Sequence, residues 1–138
     1  MSGLSLRTGR DLGMILDTNA VSAIADDEPA AVRLFRDSAS IELPAIVLGE
    51  YRFGVAQSRR RKEYEKWLGL LIAATRVLPV DEDTAGHYAL VRAELKKAGK
   101  PIPSNDLWIA ALARQHRLPL MSLDGHFDAV QDLKRIGW

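Results

Sequence analysis

The stretch MILDTN at residues 14–19 is a short apolar run that ends in an acid and continues into residues that begin a helix. The apolar run predicts a buried β-strand, and Thr18 and Asn19 are residue types that turn a chain or start a helix. Asp17 is therefore expected at the carboxyl end of a strand, where a lone carboxylate is costly to bury. Three more acids recur far downstream, each in or beside a segment with the pattern of a core element: Glu50, Asp106 and Asp124. Acids in such places predict one shared site that attracts a cation.

Length and composition indicate one globular domain. The chain has 138 residues, enough for a single sizeable core and too few for two. Apolar residues make up 47% and charged residues 27%, the balance of an ordinary folded domain rather than a disordered or fibrous chain. The formal net charge of +1 means that a polyanion would have to bind a local basic patch. The absence of cysteine excludes disulfides, thiolate nucleophiles and sulfur-ligated zinc, and it fits the reducing cytoplasm, which is the predicted location.

The first part of the chain differs in character from the rest. Residues 1–13 are polar, glycine-rich and mildly basic, and they lack the apolar middle of a signal peptide. We expect a flexible N-terminal extension or a cloning-derived leader there, and a single domain over residues 14–138. No uninterrupted apolar segment approaches the roughly 20 residues that a membrane span requires, so no membrane association is expected.

Apolar periodicity and turn residues predict strands that alternate with helices. Strands are expected at residues 14–16, 41–43, 76–80 and 118–123, with a last edge strand at residues 135–138. Helices are expected at residues 20–25, from Pro29 onward, and at 45–57, 59–71, 81–98 and 106–116, the last capped by Ser104 or Asn105. Such alternation implies parallel pairing. The predicted fold class is α/β, a three-layer sandwich with a central, mostly parallel sheet of four or five strands flanked by helices.

The expected topology brings several acids to one edge of the sheet. Sites in open parallel sheets form at the carboxyl ends of strands. Asp17 and Asp124 follow predicted strands, and Asp106 begins a helix that should start on the same side. Glu50 shares a predicted helix face with Ile46 and Phe53, and it reaches that edge only if its helix packs across the top of the sheet.

Clustered carboxylates predict a divalent metal. Two of them about 4 Å apart repel by roughly 4 kcal/mol at an effective dielectric near 20, so a cluster takes up protons or recruits cations. Oxygen ligands with no His or Cys among them select Mg²⁺ or Mn²⁺ rather than zinc. Such ions activate water and stabilise charge on a phosphate, which suits phosphodiester hydrolysis. Taken singly, each acid has a structural alternative: a helix cap for Asp17 or Asp106, a turn for Asp124 and an ion-pair partner of Arg52 for Glu50.

Four motifs in this order resemble PIN-domain proteins, and more narrowly the VapC-type toxin ribonucleases of bacterial and archaeal toxin–antitoxin pairs. The resemblance spans residues 14–138 and is carried by ILDTN at 15–19, EYRFGV at 50–55, GKPIPSNDLWIAA at 99–111 and SLDGHF at 122–127. It implies a metal-dependent endoribonuclease with a PIN-like fold. It also implies a small VapB-like antitoxin that blocks the acidic pocket, and self-association into a homodimer.

The resemblance further implies roles for individual residues. Asp17, Glu50, Asp106 and Asp124 would be the four acids that hold Mg²⁺ or Mn²⁺ and activate water for RNA cleavage. Hydrogen bonds from Thr18, Asn19 and Ser122 would support the site. The family often has Thr at the position of Ser122, and Ser retains the hydroxyl group. Asp128 lies close to Asp124, which leaves the fourth acid the least secure of the set.

The basic run and His126 are weaker candidates for functional residues than the four acids. Arg59, Arg60, Arg61 and Lys62 are the best candidates for contacting an RNA backbone, although Glu63 and Glu65 interrupt the run and a solvated helix face is an equal alternative. His126 lies near the predicted site, but with no second His nearby a packing or capping role is favoured over a catalytic one.

Two other functions compete with the nuclease. The chain could be an RNA- or partner-binding module with a metal site and little or no turnover. It could also be a phosphotransferase-type hydrolase with Asp17 as nucleophile, but such enzymes usually carry a second acid two positions on, where this chain has Asn19.

Overall fold

Five parallel strands form one sheet at the centre of the protein, as seen in a computed structural model that describes residues 13–138. The strands are β1 (Met14–Leu16), β2 (Ile41–Pro44), β3 (Arg76–Leu78), β4 (Leu120–Met121) and β5 (Arg135–Ile136). Their order is β3-β2-β1-β4-β5, and every neighbouring pair is parallel. β1 is therefore the central strand, and its three residues are all buried, as expected for a strand covered on both faces.

Six helices flank the sheet in the described part of the chain. They are α1 (Thr18–Ala25), α2 (Pro29–Asp37), α3 (Ala45–Ala56), α4 (Arg61–Ala74), α5 (Glu82–Lys97) and α6 (Ser104–His116), and a 3₁₀ turn follows at Gly125–Ala129. The predicted α/β sandwich with a central parallel sheet is confirmed, with five strands. Between residues 13 and 138, no helix is long and apolar enough to cross a membrane.

Gly13, the first described residue, lies against Ser40, which directly precedes β2. Its φ of +142° is a conformation that favours glycine, and a Cβ atom there would lie 2.6 Å from the backbone oxygen of Ser40. Met14 N–H then donates a hydrogen bond to that same oxygen at 3.1 Å, which starts the pairing of β1 with β2. The predicted extension otherwise lies outside the described residues.

The predicted core face of α3 is wrong. Val47, Tyr51 and Val55 form the buried stripe of this helix, whereas Phe53 is 72% exposed. Both sets of residues have helical spacing, so periodicity alone did not distinguish them. Glu50 is half-buried, beside the core stripe rather than within an apolar face.

Several predicted boundaries differ from the structure. β4 is two residues long rather than six. Leu118 N–H donates a hydrogen bond to Ala113 O in the last turn of α6, so the strand begins later, and residue 123 is already exposed. α4 begins at Arg61 rather than Arg59. α6 begins at Ser104 with Pro103 as its cap residue, so neither Ser104 nor Asn105 is the cap, and Asn105 bonds elsewhere. Asp106 still lies in the first turn of α6.

Candidate functional site

Asp17 is a buried carboxylate between the end of β1 and the start of α1. It is only 5% exposed. Its Oδ1 accepts a hydrogen bond from Thr18 N–H at 2.8 Å, and its Oδ2 accepts from Ser122 Oγ at 2.7 Å and from Asn19 Nδ2 at 3.1 Å. Burial nevertheless raises the pKa of Asp17 above its usual value, and the nearby charges of Glu50 and Asp124 add to that rise. The carboxylate is held firmly in place but lacks a cation.

Asn19 and Ser122 join the ends of the two central strands. Asn19 Oδ1 accepts from Leu123 N–H at 3.2 Å, and Ser122 Oγ accepts from Asp124 N–H at 3.0 Å. The Ser122 side chain is fully buried, so its hydroxyl has few alternative orientations. These bonds fix Asp17 and Asp124 relative to each other at the carboxyl edge of the sheet.

Glu50 reaches this edge because α3 directly follows β2 and packs against α1 and α6. Its Oε1 accepts from Thr18 Oγ1 at 3.0 Å, and its Oε2 accepts from Asn105 Nδ2 at 3.2 Å. Thr18 thus contacts both Asp17 and Glu50. Sequence reasoning missed Asn105 as a site residue. The available signal was its place directly before Asp106 within the 99–111 motif.

Asp106 and Asp124 complete the acidic cluster. Burial raises the pKa of Asp106 to about 6, with further contributions from Asp17 and Asp124 and a smaller opposing effect of His126. Asp124 follows β4 and caps the 3₁₀ turn by accepting from His126 N–H at 2.9 Å. The four predicted acids therefore lie within each other's electrostatic reach on one edge.

The His126 ring faces this cluster rather than the core. Its Nδ1 lies 3.1 Å from Asp124 Oδ1 and 3.8 Å from Asp106 Oδ2, and the side chain is 58% exposed. A packing role is therefore excluded by the structure, while its backbone N–H does take part in the capping of the turn. The sequence placed His126 near the site and favoured a packing or capping role, of which the structure bears out the cap through the backbone N–H.

Asp128 does not belong to the cluster, which removes the ambiguity over the fourth acid. Its two oxygens accept from Arg135 Nε at 2.8 Å and from Arg135 Nη2 at 3.0 Å. These hydrogen bonds hold the pKa of Asp128 below its usual value. Asp124 instead faces Asp17 and Asp106, and the His126 ring lies beside it.

The basic run lies on the turn between α3 and α4, apart from the acids. Arg60 pairs with Glu63 and lies over the Tyr64 ring, and Arg61 pairs with Glu65 at 3.7 Å. No acid within residues 13–138 pairs with Arg59 or Lys62. A cavity of about 210 Å³ is lined both by Thr18 and Glu50 of the site and by Ser58 and Tyr64, which lie beside the basic run in sequence.

The site fits a hard divalent cation. It offers carboxylate oxygens from four parts of the chain, and burial, with added repulsion from the neighbouring acids, raises the pKa values of Asp17 and Asp106. A bound dication would relieve both the burial and the mutual repulsion. Asn19 supports the site through both ends of its amide, since its Nδ2 donates to Asp17 and its Oδ1 accepts from Leu123 N–H.

Comparisons with known proteins agree with this geometry. The PIN domain family model matches residues 14–133. The VapC ribonuclease Y4jK of Sinorhizobium fredii is 37% identical over 80% of this chain and 86% of its own length. Toxin FitB of Neisseria gonorrhoeae is 36% identical over 80% of this chain and 87% of its own. The structure of VapBC-5 from Mycobacterium tuberculosis, a member of the VapBC family of toxin-antitoxin systems, superposes with a TM-score of 0.74 at 27% identity, over 92% of this chain and 99% of that chain. The resemblance predicted from the motifs is confirmed.

Proposed function

The chain belongs to the PIN domain family, and from this premise we propose that it is a metal-dependent endoribonuclease and the toxin of a toxin–antitoxin pair. The observation that carries the proposal is the cluster of Asp17, Glu50, Asp106 and Asp124, in which burial and mutual repulsion raise carboxylate pKa values. The ribonuclease and toxin relatives support the same activity.

Asp17, Glu50, Asp106 and Asp124 would hold Mg²⁺ or Mn²⁺, the ions that suit carboxylate oxygens. When bound, such an ion supplies an activated water and stabilises the charge that develops on a phosphate. Hydrogen bonds from Thr18, Asn19, Ser122 and Asn105 to the oxygens of Asp17 and Glu50 support this role, because they hold these oxygens in fixed orientations.

The other requirements of the reaction depend on the protein's own side chains. Ser122 and Asn19 keep Asp17 Oδ2 oriented, and burial of Asp17 excludes bulk water from that side. Burial raises the pKa of Asp106 to about 6 in the metal-free protein, so a dication that binds there would displace a proton that an ordinary Asp does not hold near neutral pH.

An RNA backbone would approach over the turn between α3 and α4. Arg59, Arg60, Arg61 and Lys62 lie there, all exposed. Arg59 and Lys62 contribute most directly, because Arg60 and Arg61 are already paired with glutamates. The cavity that Ser58 and Glu50 both line supports this approach, because its lining residues include one of the four acids and a close sequence neighbour of the basic run.

A small VapB-like antitoxin would block the acidic pocket, and the toxin would form a homodimer in the cytoplasm. The toxin–antitoxin relatives support the partner. Exposed apolar side chains beside the site offer it a surface, since Phe53 is 72% exposed on the helix that carries Glu50 and Leu123 is 54% exposed next to Asp124.

The test is cleavage of an RNA oligonucleotide pool by purified protein. We expect cleavage with Mg²⁺ or Mn²⁺, none with EDTA, and none by Asp17→Asn in either condition. Asp128→Asn is the matched control, because Asp128 is a nearby acid paired with Arg135, and it should cut like the wild type.

Two outcomes would contradict the proposal. Equal cleavage by Asp17→Asn in the presence of EDTA would exclude the metal mechanism. Metal binding by calorimetry without cleavage of any RNA in the pool would instead favour an RNA- or partner-binding module.

A further inference from the structure

The four acids are not equivalent in their hydrogen bonding. Asp17 and Glu50 both accept hydrogen bonds from side chains of the protein, including Ser122, Thr18 and Asn105. By contrast, no N–H or O–H group of residues 13–138 hydrogen-bonds to the Asp106 carboxylate. The Asp106 oxygens therefore keep lone pairs that can bind a metal ion, and we call this part of the cluster its open side.

Among the histidines of residues 13–138, only His126 has a ring nitrogen that faces this open side and could bind a metal ion. One ligand atom from each of Asp106, Asp124 and His126 lies within 4.8 Å of the others. Ligand atoms about 2.1 Å from an octahedral ion are roughly 3 Å apart when adjacent and about 4.2 Å apart when opposite. The separations from Nδ1, 3.1 Å to Asp124 and 3.8 Å to Asp106, fall within this range.

The backbone fixes His126 in this position. Asp124 accepts from the His126 backbone N–H, and the next residue, Phe127, is fully buried and anchors the turn. Only a rotation of the exposed ring is free, so Nδ1 reaches the acids without distortion of the backbone.

We propose that His126 is a nitrogen ligand that joins Asp106 and Asp124 on the open side of the site, and that it makes the site prefer Mn²⁺ over Mg²⁺. The inference rests on the metal centre of the proposed function. Imidazole nitrogen binds Mn²⁺ appreciably, whereas Mg²⁺ favours oxygen ligands and water. An all-oxygen site would discriminate less between the two ions.

A different role for His126 leads to the opposite expectation. If the ring only donates a hydrogen bond to Asp124, it competes with the metal for that carboxylate. Its removal would then leave metal affinity unchanged or increase it, for both ions alike.

The experiment measures metal binding rather than cleavage. Mn²⁺ affinity is measured from the electron paramagnetic resonance signal of free Mn²⁺, and Mg²⁺ affinity by calorimetry, for wild type, His126→Ala and His87→Ala. His87 is the matched control, since it lies at a separate cavity with Arg114 and Lys134. Electron spin echo modulation of the Mn²⁺ complexes detects directly bound nitrogen.

We expect a nitrogen coupling in wild type and His87→Ala that is lost in His126→Ala. The Kd for Mn²⁺ should rise about tenfold or more in His126→Ala, while the Kd for Mg²⁺ changes by less than about threefold. A wild-type Mn²⁺ complex without nitrogen coupling, or equal changes for both ions, would overturn the inference and leave the nuclease proposal standing. Failure of the wild type to bind either ion would instead overturn the metal centre itself.

Discussion

The two ends of α6 meet carboxylates in opposite environments, one on α6 itself and one on the neighbouring α5. Near its start, Asp106 faces Asp17 and Asp124, and its pKa rises to about 6. Near its end, Arg114 donates to both oxygens of Glu94 at 2.7 and 3.0 Å, and these bonds lower the pKa of Glu94. The carboxylate of Glu94 stabilises the fold because Arg114 supplies a positive charge. The carboxylate of Asp106 destabilises it, because no Arg or Lys of residues 13–138 pairs with it. The end of α6 that carries Asp106 is therefore where a metal ion is expected.

Replacing Asp106 should have the largest effect and should separate function from stability. Asp106→Asn removes a metal ligand, so we expect RNA cleavage to fall at least about 100-fold. The raised pKa means that protonation of Asp106 stabilises the fold below its ordinary pKa of 3.8, a contribution lost as pH rises through about 6. At pH 7 the metal-free variant should therefore be more stable than wild type by about 1 kcal/mol, after allowance for solvent screening.

Thermal unfolding in EDTA at pH 7 and pH 4 checks the stability part. The gain should be present at pH 7 and absent at pH 4, where wild-type Asp106 is largely protonated. Mg²⁺ should raise the melting temperature of the wild type and not that of the variant. A variant less stable than wild type at pH 7 would show that Asp106 is a structural acid like Glu94.

The hydroxyl of Ser122 should have the next largest effect. Ser122→Ala removes the donor to Asp17 Oδ2 and the acceptor for Asp124 N–H. Loss of such a supporting contact costs about 10- to 100-fold in metal affinity or activity. Ser122→Thr keeps the hydroxyl and is the matched variant, with expected activity close to wild type. Equal activity of Ser122→Ala and wild type would mean that Asp17 needs no support from β4.

The sequence was most informative where function depends on strand ends. Asp17 and Asp124 were placed correctly because strand ends on one edge follow from parallel pairing alone. Glu50 could not be placed in this way, because its position depends on how α3 packs over the sheet. Its contacts with Thr18 and Asn105 join residues 32 and 55 positions apart in sequence.

The failures of prediction have the same tertiary origin. Phe53 fits a helical apolar pattern but points outward, since Tyr51 and Val55 occupy the space against the core. The ring of His126 could only be located once the turn after β4 was known, because its backbone bond to Asp124 determines which way the residue faces. The local sequence pattern predicts the helices and strands, whereas tertiary packing determines which face of each one is buried.

The ion pair at the far end of α6 should affect stability and leave function unchanged. Arg114→Ala leaves Glu94 without its partner and should destabilise the fold by about 1 kcal/mol, a modest figure because the Glu94 side chain is 38% exposed. The lowered pKa of Glu94 means that this stabilisation is present above its ordinary pKa of 4.5 and is lost as pH falls through the folded value. Chemical denaturation should therefore show a larger penalty at pH 7 than at pH 3, with RNA cleavage at the wild-type rate. A penalty of equal size at both pH values would point to lost packing rather than lost charge.

The smallest expected effect concerns Arg117, which ends α6 at the same far end. Its φ of 54° and ψ of 44° place it in the left-handed conformation that glycine adopts without steric cost. Arg117→Gly should relieve this strain and stabilise the fold by about 0.5 kcal/mol, whereas Arg117→Ala keeps the strain and should not. Thermal unfolding resolves the difference between the two variants, and Mg²⁺ affinity should be the same in both. A change in Mg²⁺ affinity would show that the two ends of α6 are coupled, and the contrast between a functional end and a structural end would then fail.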